Sequence, residues 1–435
     1  MIPCFYCEQE LDSRSSESTE RQAVMLQRTR IDLEVAKQLT LPQELALVRA
    51  AYARHQGLVL RGRLATLLLV CDAFDELVTL LSPHDDLTFL EEMLLAQACL
   101  ARETADDAKH ARIVANRALA SATSDAQRAA ALAICGKAET RLGKDDAARA
   151  TLTHALRYDP HEKDACKRLA ALDLAANDPA AVLTMVDDLT AQGAAHARLF
   201  AARALALAQA GTIDAARSAA GLDDLADMTV LTPPPGWDDI HAFNAALAEE
   251  LLAHPGLRYE RYGTASALTW RIDCPAKREA PLVHLLLAQI AGAIDTHLQR
   301  IAVLDHPWAR ARPASAMLRS WCVITESDGF ETWHVHQFGW LSGVYYVRVP
   351  DSIAQGGRRD GEGGDGTDGA GHGGCLAFGM PEDLVGDDAA AAFGTRIVRP
   401  HDGLMLAFPS HTYHRTFPHG LREKRICVAF DLRPM

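Results

Sequence analysis

Two histidines one residue apart, His334 and His336, are the first residues in this chain whose spacing suggests chemistry. On extended backbone, side chains at i and i+2 point to the same face. The pair therefore sets two imidazoles side by side, as one metal ion requires. Further on, a strand-like run ends in Phe408-Pro409-Ser410, followed by His411 and His414. Either histidine could supply a third ligand from across a barrel mouth. Arg425 then opens the apolar run 425–430, with its side chain free to face an interior. A non-haem iron site takes two or three protein ligands on one face and leaves positions open opposite. A keto acid bound to such an ion needs a fixed cation for its far carboxylate. Arg suits that task, being always charged and bidentate. An H-x-H pair alone says little; the ordered set of H-x-H, glycine-flanked strand, late His and final Arg says more.

The elements that position these residues are short strands. The segments 318–324, 343–349, 375–378, 395–398, 403–408 and 425–432 are apolar or alternating and bounded by turn residues. Their number and spacing predict a sandwich or jelly roll. Two helices precede them, at 237–253 and 280–301. Between two strands lies 354–374, dominated by Gly and Asp. It buries too little apolar surface to fold and reads either as a lid over the mouth or as a plain insertion. Tyr346 alternates to the face opposite Tyr345 and is expected in the core. His401 and His419 are expected in solvated turns, and His372 in the Gly-rich loop reads as incidental.

The first half differs in kind. From 31 to 227 it is rich in Ala and Leu, with apolar residues at helical spacing. A 34-residue unit begins at Ala129, carrying Leu132, Cys135, Gly136, Gly143, Ala148, Leu152, Ala155 and Pro160 at fixed offsets. Weaker copies start at Lys163 and Ala197, keeping Leu169, Ala170 and Asn177, then Ala204, Gly211 and Ala216. The pattern resembles tetratricopeptide repeats, which stack because no unit buries its face alone. The concave surface is expected either to dock a peptide or partner or to serve as a scaffold arm. The expected organisation is an N-terminal segment 1–30, repeats 31–230, a Pro-rich linker 231–236, and a C-terminal domain 237–435.

The 435 residues are 49% hydrophobic and 23% charged, which excludes disorder for most of the chain. Lys and Arg total 44 against 57 Asp and Glu, a net charge of −13 that argues against nucleic-acid or anionic-membrane partners. No apolar run approaches the ~18 residues of a membrane span, and no basic, then apolar, leader opens the chain. A cytoplasmic location is expected, with the ten cysteines mostly reduced and buried. Cys4 and Cys7 form the one C-x-x-C pair, without a second pair to complete a zinc site.

The segments WHVHQFGWLSGVYYVRVP (333–350), GCLAFGMP (374–381) and PHDGLMLAFPSHTYHRTFP (400–418) resemble the 2-oxoglutarate/Fe(II) oxygenases of the prolyl-hydroxylase type. The resemblance runs from about Trp237 to Met435. It implies an α+β multidomain chain: a helical-repeat solenoid, then a double-stranded β-helix (jelly-roll) domain with flanking helices. It also implies Fe(II), with 2-oxoglutarate and O2 as cosubstrates. Position by position, His334 and His414 match the iron ligands and Arg425 the 2-oxoglutarate-binding Arg. His336 stands where the wider superfamily has a carboxylate, so either it coordinates or water takes that position. Tyr345 and Ser342 are expected to hydrogen-bond 2-oxoglutarate, Tyr345 being the better candidate. His411 becomes a mouth residue, because the spacing from Ser410 selects His414. The implied activity is dioxygenase chemistry, hydroxylation by default, on a peptide, protein or carrier-bound substrate. The alternative is a cupin-like binding or scaffold protein with a degenerate metal site. A zinc hydrolase fits poorly, since no H-E-x-x-H occurs.

Overall fold

The computed structural model describes residues 29–33, 39–259, 264–276, 280–355 and 371–435. Cys4, Cys7 and positions 356–370 of the Gly-rich stretch lie outside the described residues.

Among the described residues, eleven helices follow one another through the first half. They are α1 Leu41–Arg54, α2 Leu58–Val70, α3 Phe74–Leu81, α4 Phe89–Arg102, α5 Ala105–Ser121, α6 Asp125–Arg141, α7 Asp145–Tyr158, α8 Lys163–Ala175, α9 Pro179–Ala191, α10 Ala197–Gln209 and α11 Ile213–Ala220. The last six form three antiparallel pairs. Each pair turns on a residue with positive φ: Gly143 (67°), Asn177 (57°) and Gly211 (77°), 34 residues apart. That left-handed position favours Gly or Asn, and it sets the repeat's period. Where the helices of the first pair touch, residues must be small. A Cβ on Gly136 would lie 2.6 Å from the Leu152 side chain. Ala148, Ala155, Ala165, Ala204 and Ala216 are likewise fully buried. Side-chain caps start several of these helices: Thr88 and Glu91 form a capping box on α4, and Ser124 and Asp178 cap α6 and α9.

The short helix α12 (Leu222–Leu225) leads into a region of strands: β1 Arg30–Leu33, β2 Asp227–Val230, β3 Arg258–Tyr259, β4 Ser266–Ala267, β5 Trp270–Asp273, β6 Ser315–Thr325, β7 Phe330–Glu331, β8 Leu341–Arg348, β9 Leu376–Phe378, β10 Arg396–Val398, β11 Leu404–Pro409, β12 His414–Thr416 and β13 Arg425–Pro434. The major sheet runs β2-β11-β8-β13-β6-β5-β3, with β1 parallel along β6. A smaller sheet, β10-β9-β12, faces it. The described strands lie in separate sheets, as the sandwich or jelly roll expected from the sequence requires.

Alternation assigns the two faces of the major sheet. Ile426, Val428, Phe430 and Leu432 of β13 pack with Leu341, Tyr345 and Val347 of β8 against helices α13 (Ile240–Leu252) and α14 (Pro281–Ile301). Cys427, Tyr346, Leu406 and Phe408 point the other way, onto Leu376 and Phe378 of the small sheet. The space between the sheets is where the histidines and Arg425 meet.

The repeats and the strands share a core. Leu199, Leu205 and Ala216 pack with Val335, Met380, Val385 and Tyr413 in one apolar cluster. Arg217 donates to the Phe393 carbonyl at 2.9 Å, and Thr412 Oγ1 to the Ala220 carbonyl at 3.1 Å. Strand β2 lies before the Pro-rich stretch, so the major sheet takes an edge strand from residues the sequence reading assigned to the helical half. Leu231 within that stretch is itself buried and donates to the Gly403 carbonyl. Among the described residues, no helix is long and apolar enough to cross a membrane.

Three histidines buried in these packing surfaces make the fold acid-sensitive. Burial pushes His196 and His411 down to about 3 and His297 to about 4. In the unfolded chain each takes up a proton near the ordinary value of about 6.5. Below that pH the unfolded state binds more protons, so stability is present above it and is lost as pH falls towards the folded values. Each such histidine costs up to about 1.4 kcal/mol per pH unit in that window. Thermal melts are expected to fall steeply from about pH 6.5 to 4.5, and His297→Gln to flatten that fall. A slope unchanged in His297→Gln would remove its share of the effect.

Candidate metal centre

His334 sits between β7 and β8, and His414 opens β12. Their backbones form an isolated antiparallel bridge, with N–H···O distances of 3.0 and 3.1 Å. That bridge sets their rings 4.1 Å apart, centroid to centroid. His336 is anchored by its own N–H to the Ser410 carbonyl at 2.9 Å, and its ring lies 5.0 Å from that of His414. The three histidines offer ligand atoms within 4.8 Å of one another.

The far nitrogen of each ring decides what the near one presents. His334 Nδ1 lies 2.7 Å from the Thr332 carbonyl and His414 Nδ1 3.0 Å from the Thr412 carbonyl. A carbonyl only accepts, so both Nδ1 atoms carry the proton and both Nε2 atoms present lone pairs. Burial pushes both imidazoles below their ordinary value, which keeps them neutral. His336 Nδ1 donates to Asp431 Oδ1 at 2.6 Å, leaving its Nε2 3.3 Å from His334 Nε2. Three lone pairs directed at one point fit a divalent cation. The structure thus brings His336 into the cluster and places a carboxylate directly behind it.

Asp431 was not found by sequence reasoning. Burial alone would raise its carboxyl, but His336, Arg433 and Ser342 hold it below the usual range. Ser342 Oγ donates to Asp431 Oδ1 at 2.8 Å and lies 2.6 Å from Ser410 Oγ. Gly339 makes room for this network, since a Cβ there would lie 2.4 Å from Ser410 Oγ. The available signal was parity: Asp431 shares the face of Arg425 on β13 and is the one acid of that strand.

Arg425 is 2% exposed and donates through Nη1 to the Gly374 carbonyl at 2.6 Å. Its Nε has no partner among the described residues. It lines a cavity between the sheets together with Trp321, Glu331, His336, Val344, Tyr346, Phe408, His414 and Thr416. A buried cation with donors to spare beside three converging imidazoles is suited to an anion that also reaches the metal. Glu331 is a second acid that sequence reasoning missed. Burial would raise its carboxyl, but His334, Arg271 and Arg425 hold it down, and Ser266 donates to it at 3.0 Å.

Four expectations are corrected here. Tyr345 faces α13, where its hydroxyl donates to Asn244 Oδ1 at 2.8 Å, while Tyr346 lines the cavity. Strand parity puts the two tyrosines on opposite faces, and a β-bulge at Ile426/Cys427 sets Cys427 opposite Tyr346. Ser342 is fully buried and holds Asp431, so it does not line the cavity. His411 is no mouth residue: it packs 5.3 Å from Phe200, and its Nε2 donates to the Ala219 carbonyl, at the junction with the repeats. His419 is buried rather than solvated, bonded to the Thr325 carbonyl at 3.2 Å. His401 and His372 are exposed and stand apart from the cluster.

The stretch that carries this cavity can be compared with known proteins. Residues 319–431 match the family model "Putative 2OG-Fe(II) oxygenase". His334, His336, His414 and Arg425 all lie inside the matched residues. Enzymes of this kind use Fe(II), 2-oxoglutarate and O2, and the histidine triad fits the metal. No curated protein matches the chain. Among solved structures, a Pseudomonas putida prolyl-4-hydroxylase is 16% identical, covering 53% of this chain and 100% of its own, with a TM-score of 0.30. A Trichoplax adhaerens prolyl hydroxylase, in complex with a peptide fragment, is 8% identical over 52% and 90%, at 0.31. YrrB, a TPR protein with an unusual peptide-binding site, is 13% identical over 40% and 91%, at 0.30.

Proposed function

We propose that this protein is a 2-oxoglutarate- and Fe(II)-dependent dioxygenase that hydroxylates a peptide, protein or carrier-bound substrate, held with help from the helical repeats. The observation that carries the reading is the cluster of three imidazoles, two of which line the same cavity as the buried Arg425. Bound iron, with 2-oxoglutarate and O2, supplies an oxidant strong enough to attack a C–H bond, with succinate and CO2 as the cosubstrate's products. His334, His336 and His414 would hold the metal. Arg425 would take the cosubstrate's far carboxylate. Asp431 fixes the tautomer and orientation of His336. Trp321, Val344 and Phe408 wall the cavity with apolar surface that keeps water from the reacting centre. A cytoplasmic setting suits this chemistry.

The test needs no knowledge of the substrate. Metal-free protein is titrated anaerobically with Fe(II) and 2-oxoglutarate, and the visible charge-transfer absorption of the chelate is followed. The band is expected in wild type and absent in His414→Ala. His336→Ala is expected to weaken iron binding as well. If wild type binds iron but forms no band with 2-oxoglutarate, the oxygenase reading falls and a binding or scaffold role takes its place.

A further inference from the structure

A large hollow lies outside the metal centre, where the repeats meet the loop that follows His336. One cavity of about 740 Å³ runs along the repeats, and a second of about 270 Å³ adjoins it. His161, Lys163 and Phe338 line both. Phe338 is 51% exposed, unusual for a phenyl ring, and lies two residues beyond His336. Lys163 Nζ stands 5.3 Å from the centre of its ring and the Arg433 guanidinium 5.4 Å.

Lys137, Lys163 and Arg168 line the hollow together with Asp72, Glu162 and Asp164, and Lys167, Arg198 and Arg433 lie beside these cations. The acids nearby are largely committed. Asp164 is paired with Arg168 at 2.8 Å, and Glu162 accepts from the Asp164 N–H at the start of α8. Withdrawal from solvent, reinforced by neighbouring cations, pushes Lys137 and Lys167 down to about 8. Asp164 offsets part of this for both amines, and Glu103 for Lys137.

Hydrogen bonding tells the same story independently. His196 is 8% exposed, and its Nδ1 accepts from the Leu199 N–H at 3.2 Å. The neutral ring therefore carries its proton on Nε2, which has no partner although the ring lines the smaller cavity. Arg198 Nε and Arg433 Nε also lack acceptors. Unsatisfied buried donors are costly until something supplies oxygens. Met93, Leu100 and Ile134 add an apolar floor.

We propose that this cleft docks an acidic peptide segment, its carboxylates among Lys137, Lys163 and the His196 Nε2–H and its chain passing over Phe338. The inference deepens the proposed function by naming the chemistry of the substrate's docking segment. The apolar floor suits peptide side chains, which a nucleic-acid backbone does not offer.

The experiment uses metal-free full-length protein and three fluorescein-labelled probes: octaglutamate, octalysine and an oligothymidylate of equal length. Octaglutamate is expected to bind, more weakly at high salt, and about tenfold more weakly to Lys137→Ala/Lys163→Ala. Carbodiimide coupling of bound octaglutamate, mapped by mass spectrometry, is expected to mark Lys137, Lys163 or Lys167 ahead of Lys109 and Lys144. This second readout needs no variant to fold. Octalysine binding as tightly, oligothymidylate binding more tightly, or coupling spread evenly over the lysines would each overturn the proposal. The chelate band is recorded on the same preparations. Peptide binding lost with the band intact refutes the docking site alone; peptide binding intact without a band refutes the oxygenase reading alone.

Discussion

Replacing Arg425 by methionine is expected to weaken 2-oxoglutarate binding about thirtyfold or more, while Fe(II) binding stays close to wild type. The size follows from burial. Arg425 is 2% exposed, and one of its nitrogens has no partner among the described residues. A carboxylate arriving there would gain charge-assisted hydrogen bonds in a site walled by Tyr346, Val344 and Cys427. Removing one side of such a buried pair costs about 2–5 kcal/mol. Methionine keeps the length of the side chain and removes its charge, so the fold survives; a buried unpaired cation contributes little stability of its own. Arg425→Lys is expected to recover only part of the affinity, because an ammonium lacks the bidentate fork. Calorimetry with 2-oxoglutarate on the iron-loaded protein under nitrogen gives the answer. Equal affinity in Arg425→Met and wild type would remove Arg425 from cosubstrate binding.

Asp431→Asn is expected to weaken Fe(II) binding about ten- to a hundredfold. Asp431 is buried, and its Oδ1 takes the His336 Nδ1 proton at 2.6 Å. A carboxylate in that position makes the imidazole a better donor and fixes its ring. The neutral amide does neither as well. Where an H-x-H site lacks a carboxylate on the metal, this charge one bond further out is the negative charge nearest His336. Ser342→Ala removes a single neutral donor to Asp431 and is expected to cost only about 1 kcal/mol, or roughly fivefold. Competition with a coloured chelator measures both. Unchanged iron affinity in Asp431→Asn would reduce Asp431 to a packing role.

What was legible in the chain depended on range. Helical repeats announce themselves locally. The 34-residue recurrence of Gly143, Asn177 and Gly211 is a backbone requirement repeated once per turn between helices, so it shows in sequence. The strands carrying the site were equally visible, because alternation and turn residues are local properties. Strand β12 escaped, being three residues long with His414 as its first.

The site divides along the same line. His334, His336 and Arg425 were nominated from residue type and order with His411 or His414 as the third ligand, and the family resemblance selected His414. His336, His414 and Arg425 line one cavity, with His334 clustered against the two histidines. Residue type and spacing are enough to nominate such a set, since a metal and a keto acid demand particular donors in a particular order. Tertiary structure alone decided what stands behind them. Asp431 reaches His336 across 95 positions of chain, and Glu331 enters the cavity from a two-residue strand. A bulge beside Cys427 and strict alternation put Tyr346, not Tyr345, at the cavity. The chain by itself determined the repeat period, the strand content and the candidate ligands, because each is set by neighbours within a turn or a pleat. The fold decided the second carboxylate, the tyrosine and the cleft at Phe338, because each depends on which distant backbones come to lie side by side.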